Sequence, residues 1–403
     1  MHYSNRYSKM KKLIISLGLI LFSIPALLAQ HLDFQSNPDA NAPTLFERVT
    51  KLEKKVDWFN LYLNMQGSFN VYFNDDARVE QTAFRMDQLR LEVKGNITDR
   101  IYYRYRQRLN RSNSALKLDN MPASIDYAAV GFHVSDKFSV FAGKQCTAFG
   151  GFEFDLNPIE VYQYCDMLEY MNNFLTGIDF SYWIAPTHEF RFQIVDSRNG
   201  SFEDLYGQVP ENIKAAKAPL GYTLNWNGSF LENMIRTRWS ASIFHEAKKK
   251  NWYYYALGTE VALSKFLGFF DFMYSTENID RTGIISEIIA TDGFDTRALD
   301  TRYMSMVLHL NYRICPKLNL FVKGMYETAT VQKTNQELEK GKYRTSWGYM
   351  GGLEYYPMQD NLLFFLNYIG RSYDYTNRAK VYGVGNNNPQ RVELGLVYQL
   401  PMF

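Results

Sequence analysis

From Leu61 to Phe73 the odd positions are Leu, Leu, Met, Gly, Phe, Val and Phe, while the even positions are Tyr62, Asn64, Gln66, Ser68, Asn70 and Tyr72. A period of two sends successive side chains to opposite faces of a strand, so one face is dry and the other wet. The pattern returns at Leu89, Leu91 and Val93 against Arg90, Glu92 and Lys94, and at Ile101, Tyr103 and Tyr105 against Arg104, Arg106 and Arg108. It recurs at Phe190, Phe192 and Ile194 against Glu189, Arg191 and Gln193, at Ile235, Trp239 and Ile243 against Arg236, Arg238 and Ser242, and at Met304, Met306 and Leu308 against Ser305 and His309. Sixteen such segments are predicted, near residues 60–73, 83–97, 101–110, 125–134, 137–145, 175–184, 188–196, 219–226, 234–245, 252–263, 266–275, 301–312, 317–328, 344–356, 361–370 and 391–402.

Their connections alternate between two kinds. Short turns such as Thr98-Asp99-Arg100, Ser135-Asp136, Ala185-Pro186-Thr187 and Ser264-Lys265 are separated by longer polar stretches around 74–82, 111–124, 146–174, 197–218, 246–251, 276–300, 329–343 and 371–390. A closed antiparallel barrel in a membrane satisfies its backbone amides between strands. It therefore has an even strand count, tight turns on one rim and longer loops on the other. The expected fold is all-β: a 16-stranded antiparallel transmembrane barrel, with Tyr253, Tyr255, Trp347 and Tyr398 in interfacial girdles. A soluble sandwich would carry Lys and Glu on its outward face, where this chain has Phe, Leu and Met.

The N-terminal region follows another rule. Lys9, Lys11 and Lys12 precede an apolar run from Leu13 to Leu28 that ends at Ala29, which reads as an export signal over 1–29, with Met1 or Met10 as the start. Residues 30–58 are expected to be a flexible lead and a short coiled-coil-like helix. The helix opens at the capping box Thr44–Glu47 and carries Leu45, Val49, Leu52 and Val56 on one stripe. Residues 59–403 form the barrel domain.

Composition fits this division. The 403 residues are 46% hydrophobic and 16% aromatic, which excludes a disordered chain. Mean hydropathy is −0.33, as expected when wet and dry faces average out. No apolar run beyond residue 29 is long enough for a membrane helix. The net charge of +2 suggests no nucleic-acid partner, and loss of residues 1–29 leaves 40 basic against 42 acidic residues. The three cysteines make no metal spacing; Cys146 and Cys165 are able to pair after export, and the pairing stays open. The scattered His133, His188, His245 and His309 of the barrel region, with no carboxylate beside Ser305 and His309, suggest no catalytic triad. Neither an enzyme nor a cofactor or metal is expected.

Phe141-Ala142-Gly143-Lys144-Gln145, followed by Ala148-Phe149-Gly150-Gly151-Phe152-Glu153, is similar to the strand end and Phe-Gly run of the phosphate-selective porin family (porins O and P). Leu89–Gly95 followed by Arg104-x-Arg106-x-Arg108 is similar too, and the resemblance extends over roughly 60–403. It implies an outer-membrane homotrimer in lipid, anion passage through a basic lumen, and a loop after Lys144 that folds into the pore.

Arg104, Arg106 and Arg108 share one face of one strand and so line about 14 Å of wall. Arg90, Lys94, Arg191, Arg236, Arg238 and Lys323 have the same inward phase. Guanidinium suits oxyanion geometry, so these nine residues are the expected pore-lining and solute-binding set. Glu92, Asp179, Glu189, Glu260, Glu327 and Glu354 are interleaved with them and offer cross-strand partners. Lys144, Asp155, Glu160, Tyr162 and Tyr164 are the candidates for the constriction, on the longest connection of the barrel. The expected function is passive diffusion of small hydrophilic or anionic solutes across the Gram-negative outer membrane. The alternative is a non-conducting barrel whose loops bind an extracellular partner.

Overall fold

The computed structural model describes residues 58–116, 118–335, 338–358 and 361–402. The expected export signal and the helix after Thr44 lie outside them, as does Phe403. Sixteen strands run in order: β1 (Asn60–Phe73), β2 (Val79–Asn96), β3 (Ile101–Arg108), β4 (Ile125–Ser135), β5 (Phe138–Cys146), β6 (Phe174–Ala185), β7 (His188–Asp196) and β8 (Leu220–Phe230). Then come β9 (Ile235–Ala247), β10 (Lys250–Ala262), β11 (Phe266–Ile279), β12 (Leu299–Cys315), β13 (Leu318–Val331), β14 (Gly341–Tyr355), β15 (Leu362–Tyr375) and β16 (Gln390–Pro401). Each pairs antiparallel with its neighbours in sequence, and β1 closes on β16 from Tyr62 opposite Pro401 to Phe73 opposite Gln390. The backbone groups of the ladder are thereby satisfied without a helix, and among the described residues no helix is long and apolar enough to cross a membrane.

The lipid face follows the period of two. Phe192, Leu224, Leu257, Leu366 and Leu394 stand 42–58% exposed on the outside, and Tyr182, Tyr255, Tyr312, Tyr355 and Tyr368 add exposed rings. Large exposed apolar side chains on thirteen of the sixteen strands, all but β1, β3 and β5, would be anomalous in water and are the expected solvent contact in lipid.

Two loop expectations are corrected. The polar stretch 246–251 is no loop: β9 and β10 continue to a two-residue turn at Lys248-Lys249, where Lys249 takes a φ of 61°. The stretch 276–300 is not simply polar, because it holds a helix, Ile284–Ala290, with Ile284, Ile285, Ile288 and Ile289 all buried. Asp280 starts that helix by accepting hydrogen bonds from the backbone N–H of Gly283 (3.1 Å) and Ser286 (2.8 Å). All three cysteines are free thiols: Cys165 is buried, Cys146 half-buried and Cys315 exposed.

The inner face is divided. On β1–β8 it is polar almost throughout, with Asn64, Gln66, Asn70, Gln193 and Asn225 buried against neighbours. On β10–β13 the inward positions include Trp252, Tyr254, Met273, Tyr303, Val307 and Met325. These join Phe149, Phe152 and Leu168 of the third long loop and the isoleucines of helix Ile284–Ala290 in one apolar cluster. A wet inner face all round is therefore overturned in this half of the barrel. Its rings cover one another in place of water.

Candidate functional site

The third long loop, 147–173, leaves β5 and crosses the lumen. Gly150 (φ 72°) and Gly151 (φ 87°) begin the crossing. A Cβ on Gly151 would come within 3.3 Å of the Asp271 carboxylate, and one on Gly258 of β10 within 2.8 Å of Gly151 Cα. Glycine at both positions lets the loop press against the wall, and its φ values favour glycine as well. Asp271 accepts from the backbone N–H of Phe152 (2.9 Å) and Glu153 (2.8 Å), which fixes the short helix Phe152–Asp155 to β11.

From there the loop is tied strand by strand. Asp155 meets Arg238 of β9 at 2.9 Å, and Glu153 meets Lys323 of β13, whose ammonium also donates to the carbonyl of Gln163 at 2.6 Å. The Tyr162 hydroxyl donates to Glu354 (2.8 Å) while its ring packs on Phe321 and Phe365. Asp166 accepts from Arg344, Arg371 (2.6 Å) and Ser346 (2.9 Å), and Arg371 also holds Glu327 at 2.6 Å. Arg391 of β16 donates to the Tyr162 carbonyl at 3.1 Å. Burial keeps the Tyr162 hydroxyl and the Cys165 thiol protonated by pushing both well above their ordinary values.

Opposite the loop, β2–β4 present a basic wall. Arg90, Arg106 and Arg108 converge on Asp126 at 2.7, 3.1 and 3.0 Å, and Arg104 pairs with Glu92 at 2.8 Å. Four guanidiniums thus share two carboxylates, a local excess of positive charge, and Lys94 adds to it from above the Tyr62 ring. Tyr127 lies beneath Arg104 and Arg106, whose guanidinium carbons are 3.9 and 4.9 Å from the ring centre. Asp126 and Tyr127 are adjacent in sequence yet both reach the lumen. The register with β3 slips between Arg106 and Gln107, and this bulge breaks the alternation at that point.

Between loop and wall remains a cavity of about 1480 Å³. Arg90, Lys94, Arg104, Arg106, Arg108, Arg191, Arg236 and Arg238 line it, as do Asp155, Glu160, Tyr162 and Tyr164. Two candidates lie elsewhere. Lys323 is 4% exposed beneath the loop, where it neutralises Glu153. Lys144 belongs to β5, and its ammonium turns to Asp119 (3.0 Å) and the carbonyl of Pro122 in loop 109–124. Arg191 pairs with Asp179 at 2.8 Å, and Arg236 pairs with Glu260. Asp126, Tyr127, Asp271, Arg344 and Arg371 were not among the sequence candidates. The bulge hid the first two, and the others became legible only once the loop lay across them. Among the described residues no cluster of His, Cys, Asp and Glu is suited to a metal ion.

A family model described as phosphate-selective porin O and P matches residues 59–400. Among solved structures, the outer-membrane channel DcaP of Acinetobacter baumannii matches with a TM-score of 0.58 at 12% identity, covering 87% of this chain and 99% of that one. Salmonella typhi OmpF in complex with daunomycin matches with 0.58 at 14% identity, covering 85% and 97%. The anion-selective porin from Comamonas acidovorans matches with 0.52 at 9% identity, covering 85% and 99%. At such identities the likeness is one of fold. No curated protein matches the chain at the significance applied.

Proposed function

The chain belongs to the phosphate-selective porin O and P family and is a water-filled diffusion channel of the Gram-negative outer membrane; on that premise we propose that it passes small anions in modest preference to cations. The observation that carries this is the wall of β2–β4, where among the described residues Glu92 and Asp126 are the only carboxylates in ion pairs with Arg90, Arg104, Arg106 and Arg108. Charges lining a narrow aqueous path set ion preference through their field, and the excess here is positive. The preference is modest because Asp179, Glu189, Glu260 and Glu354 line the same cavity. Reversal potentials in planar bilayers under a salt gradient test it. Anion preference is expected, reduced or abolished by Arg104→Ala with Arg106→Ala; a cation preference, or a value the double variant leaves in place, overturns it.

The working unit on this reading is a homotrimer. β3, β5 and β7 have only 8–9 residues. At roughly 3.3 Å per residue and 45° tilt nine residues rise about 20 Å, less than an apolar band of about 25 Å. A neighbouring subunit against this low side would cover the shortfall. Unboiled gels should show a band near three times the boiled mass, and migration as a monomer in both lanes would remove the proposal. Residues 1–29 serve as the export signal on the same reading, with 30–58 as a lead before the barrel.

A further inference from the structure

The cavity has two unlike sides. One is the arginine wall. On the other the inward loop directs its charge toward the strands behind it: Glu153 to Lys323, Asp155 to Arg238, and Asp166 to Arg344 and Arg371. Asp155, Glu160 and Glu169 still reach the cavity, but so do Phe154, Leu156, Tyr164, Leu168 and Met171, which give the loop an apolar surface beside its charges. Burial holds the Tyr164 hydroxyl above its ordinary value, and Tyr164 faces the wall closely enough that Arg90 and Arg106 partly offset that rise.

The wall itself mixes rings with charge. Arg106 lies over both Tyr127 and Phe174, 4.9 and 5.4 Å from the ring centres, and those two rings meet edge to face at 5.6 Å. A guanidinium stacked on a ring keeps its N–H edge for an oxyanion, which binds in the plane of the fork. A small inorganic anion uses that edge alone and leaves the apolar face of the loop wetted. A solute with an oxyanion at one end and a flat ring at the other fits both surfaces at once, because aromatic faces stack on rings and on thioethers.

Resting on the anion-preferring reading above, we propose that the constriction is a subsite for ring-bearing oxyanions: the exposed edge of Arg104 takes the carboxylate or phosphate, the buried Arg106 beside it adds its charge, and Phe154, Tyr164 and Met171 take the ring. The ring, rather than the kind of oxyanion, is what this subsite selects.

The test uses the full-length protein in planar bilayers in potassium chloride, with benzoate, acetate, phenyl phosphate or inorganic phosphate added to one side. Its readout is the concentration that halves the chloride current. Benzoate is expected to act at roughly tenfold lower concentration than acetate, and phenyl phosphate than phosphate, the scale of one added aromatic contact. A ring effect confined to one pair would overturn selection by the ring alone. Phe154→Ser with Met171→Ser, or the milder Met171→Ser alone should the first fail to insert, is expected to close the gap to about twofold. Equal action of benzoate and acetate, and of the two phosphates, on a channel that still prefers anions overturns the subsite alone. A gap that the variants leave intact does the same. A reversal potential without anion preference refutes the earlier reading instead.

Discussion

The two halves of this barrel obey one rule outside and two rules inside. Strands β1–β8 and β9–β16 both present Phe, Leu, Val and Tyr to lipid at every second residue. Inside, the first half keeps Asn64, Gln66, Asn70, Gln193 and Asn225, with arginines facing an open cavity. The second half turns Trp252, Tyr254, Met273, Tyr303 and Met325 inward and is covered by the loop 147–173 and the helix Ile284–Ala290. A lumen is therefore not uniformly aqueous. Once a loop lies across half of it, that half becomes a small interior governed by packing, and charges there must be paired. Lys323 with Glu153, and Arg344 and Arg371 with Asp166 and Glu327, are such pairs, each side chain less than 9% exposed.

The contrast can be broken by removing a charge from the covered half. Arg371→Met leaves Asp166 and Glu327 with Arg344 as their remaining guanidinium. Breaking a buried pair in this way should destabilise the fold by about 3–5 kcal/mol. The Tyr164 carbonyl loses the same donor, so the loop should lift. Denaturant midpoints should fall and single-channel conductance should rise; unchanged values in both would mean that this cluster does not anchor the loop.

A cavity in each half sharpens the difference. Met325→Ala empties space in the apolar cluster and should cost about 2–5 kcal/mol. Lys94→Ala, on the side chain that lines the open cavity above Tyr62, should stay within about 0.5 kcal/mol, as for a solvated position. Similar midpoints for the two variants would erase the distinction between the halves. The lipid face should show no such distinction. Leu257→Arg in β10 and Phe192→Arg in β7 place a cation outward at mid-strand, 45% and 42% exposed in the native chain. Each should destabilise by about 2–4 kcal/mol near the bilayer midplane, equally in the two halves. Refolding equilibria in lipid vesicles provide the measurement.

Much of this was readable in advance for a physical reason. Lipid tests every second residue of every strand in the same way, so Leu61 to Phe73 already contains the rule for Leu257 and Leu394, and the sixteen strands with their alternating rims follow from repeating it. Loop length was less legible. Residues 246–251 are polar, yet β9 and β10 continue through them, because a strand that rises above the membrane remains hydrogen-bonded while facing water. The run Ile284–Ile289 lies inside a stretch that is polar on average, yet its four isoleucines are the kind of stripe that needs a core.

The site was legible by half. Inward phase brought Arg90, Arg104, Arg106, Arg108, Arg191, Arg236 and Arg238 to one cavity. It also counted Lys323, whose phase is inward but whose neighbourhood is dry, and Lys144, whose ammonium serves loop 109–124. Asp126 falls outside any periodic pattern because a bulge puts it on the same side as Tyr127, and no period describes a bulge.

Alternation at period two is local: each residue meets lipid or lumen according to its own parity, so the chain alone was enough to specify a closed barrel, its strand count and the faces of its strands. Which part of the lumen holds water is non-local. It depends on where residues 147–173 come to rest, more than a hundred positions away in sequence from Asp271, Glu327, Arg344 and Arg371 that hold them. Only when the barrel closes do those carboxylates and guanidiniums meet the loop. The same folding step turns half of a polar-looking wall into a core and leaves the other half, lined by arginine, as the channel.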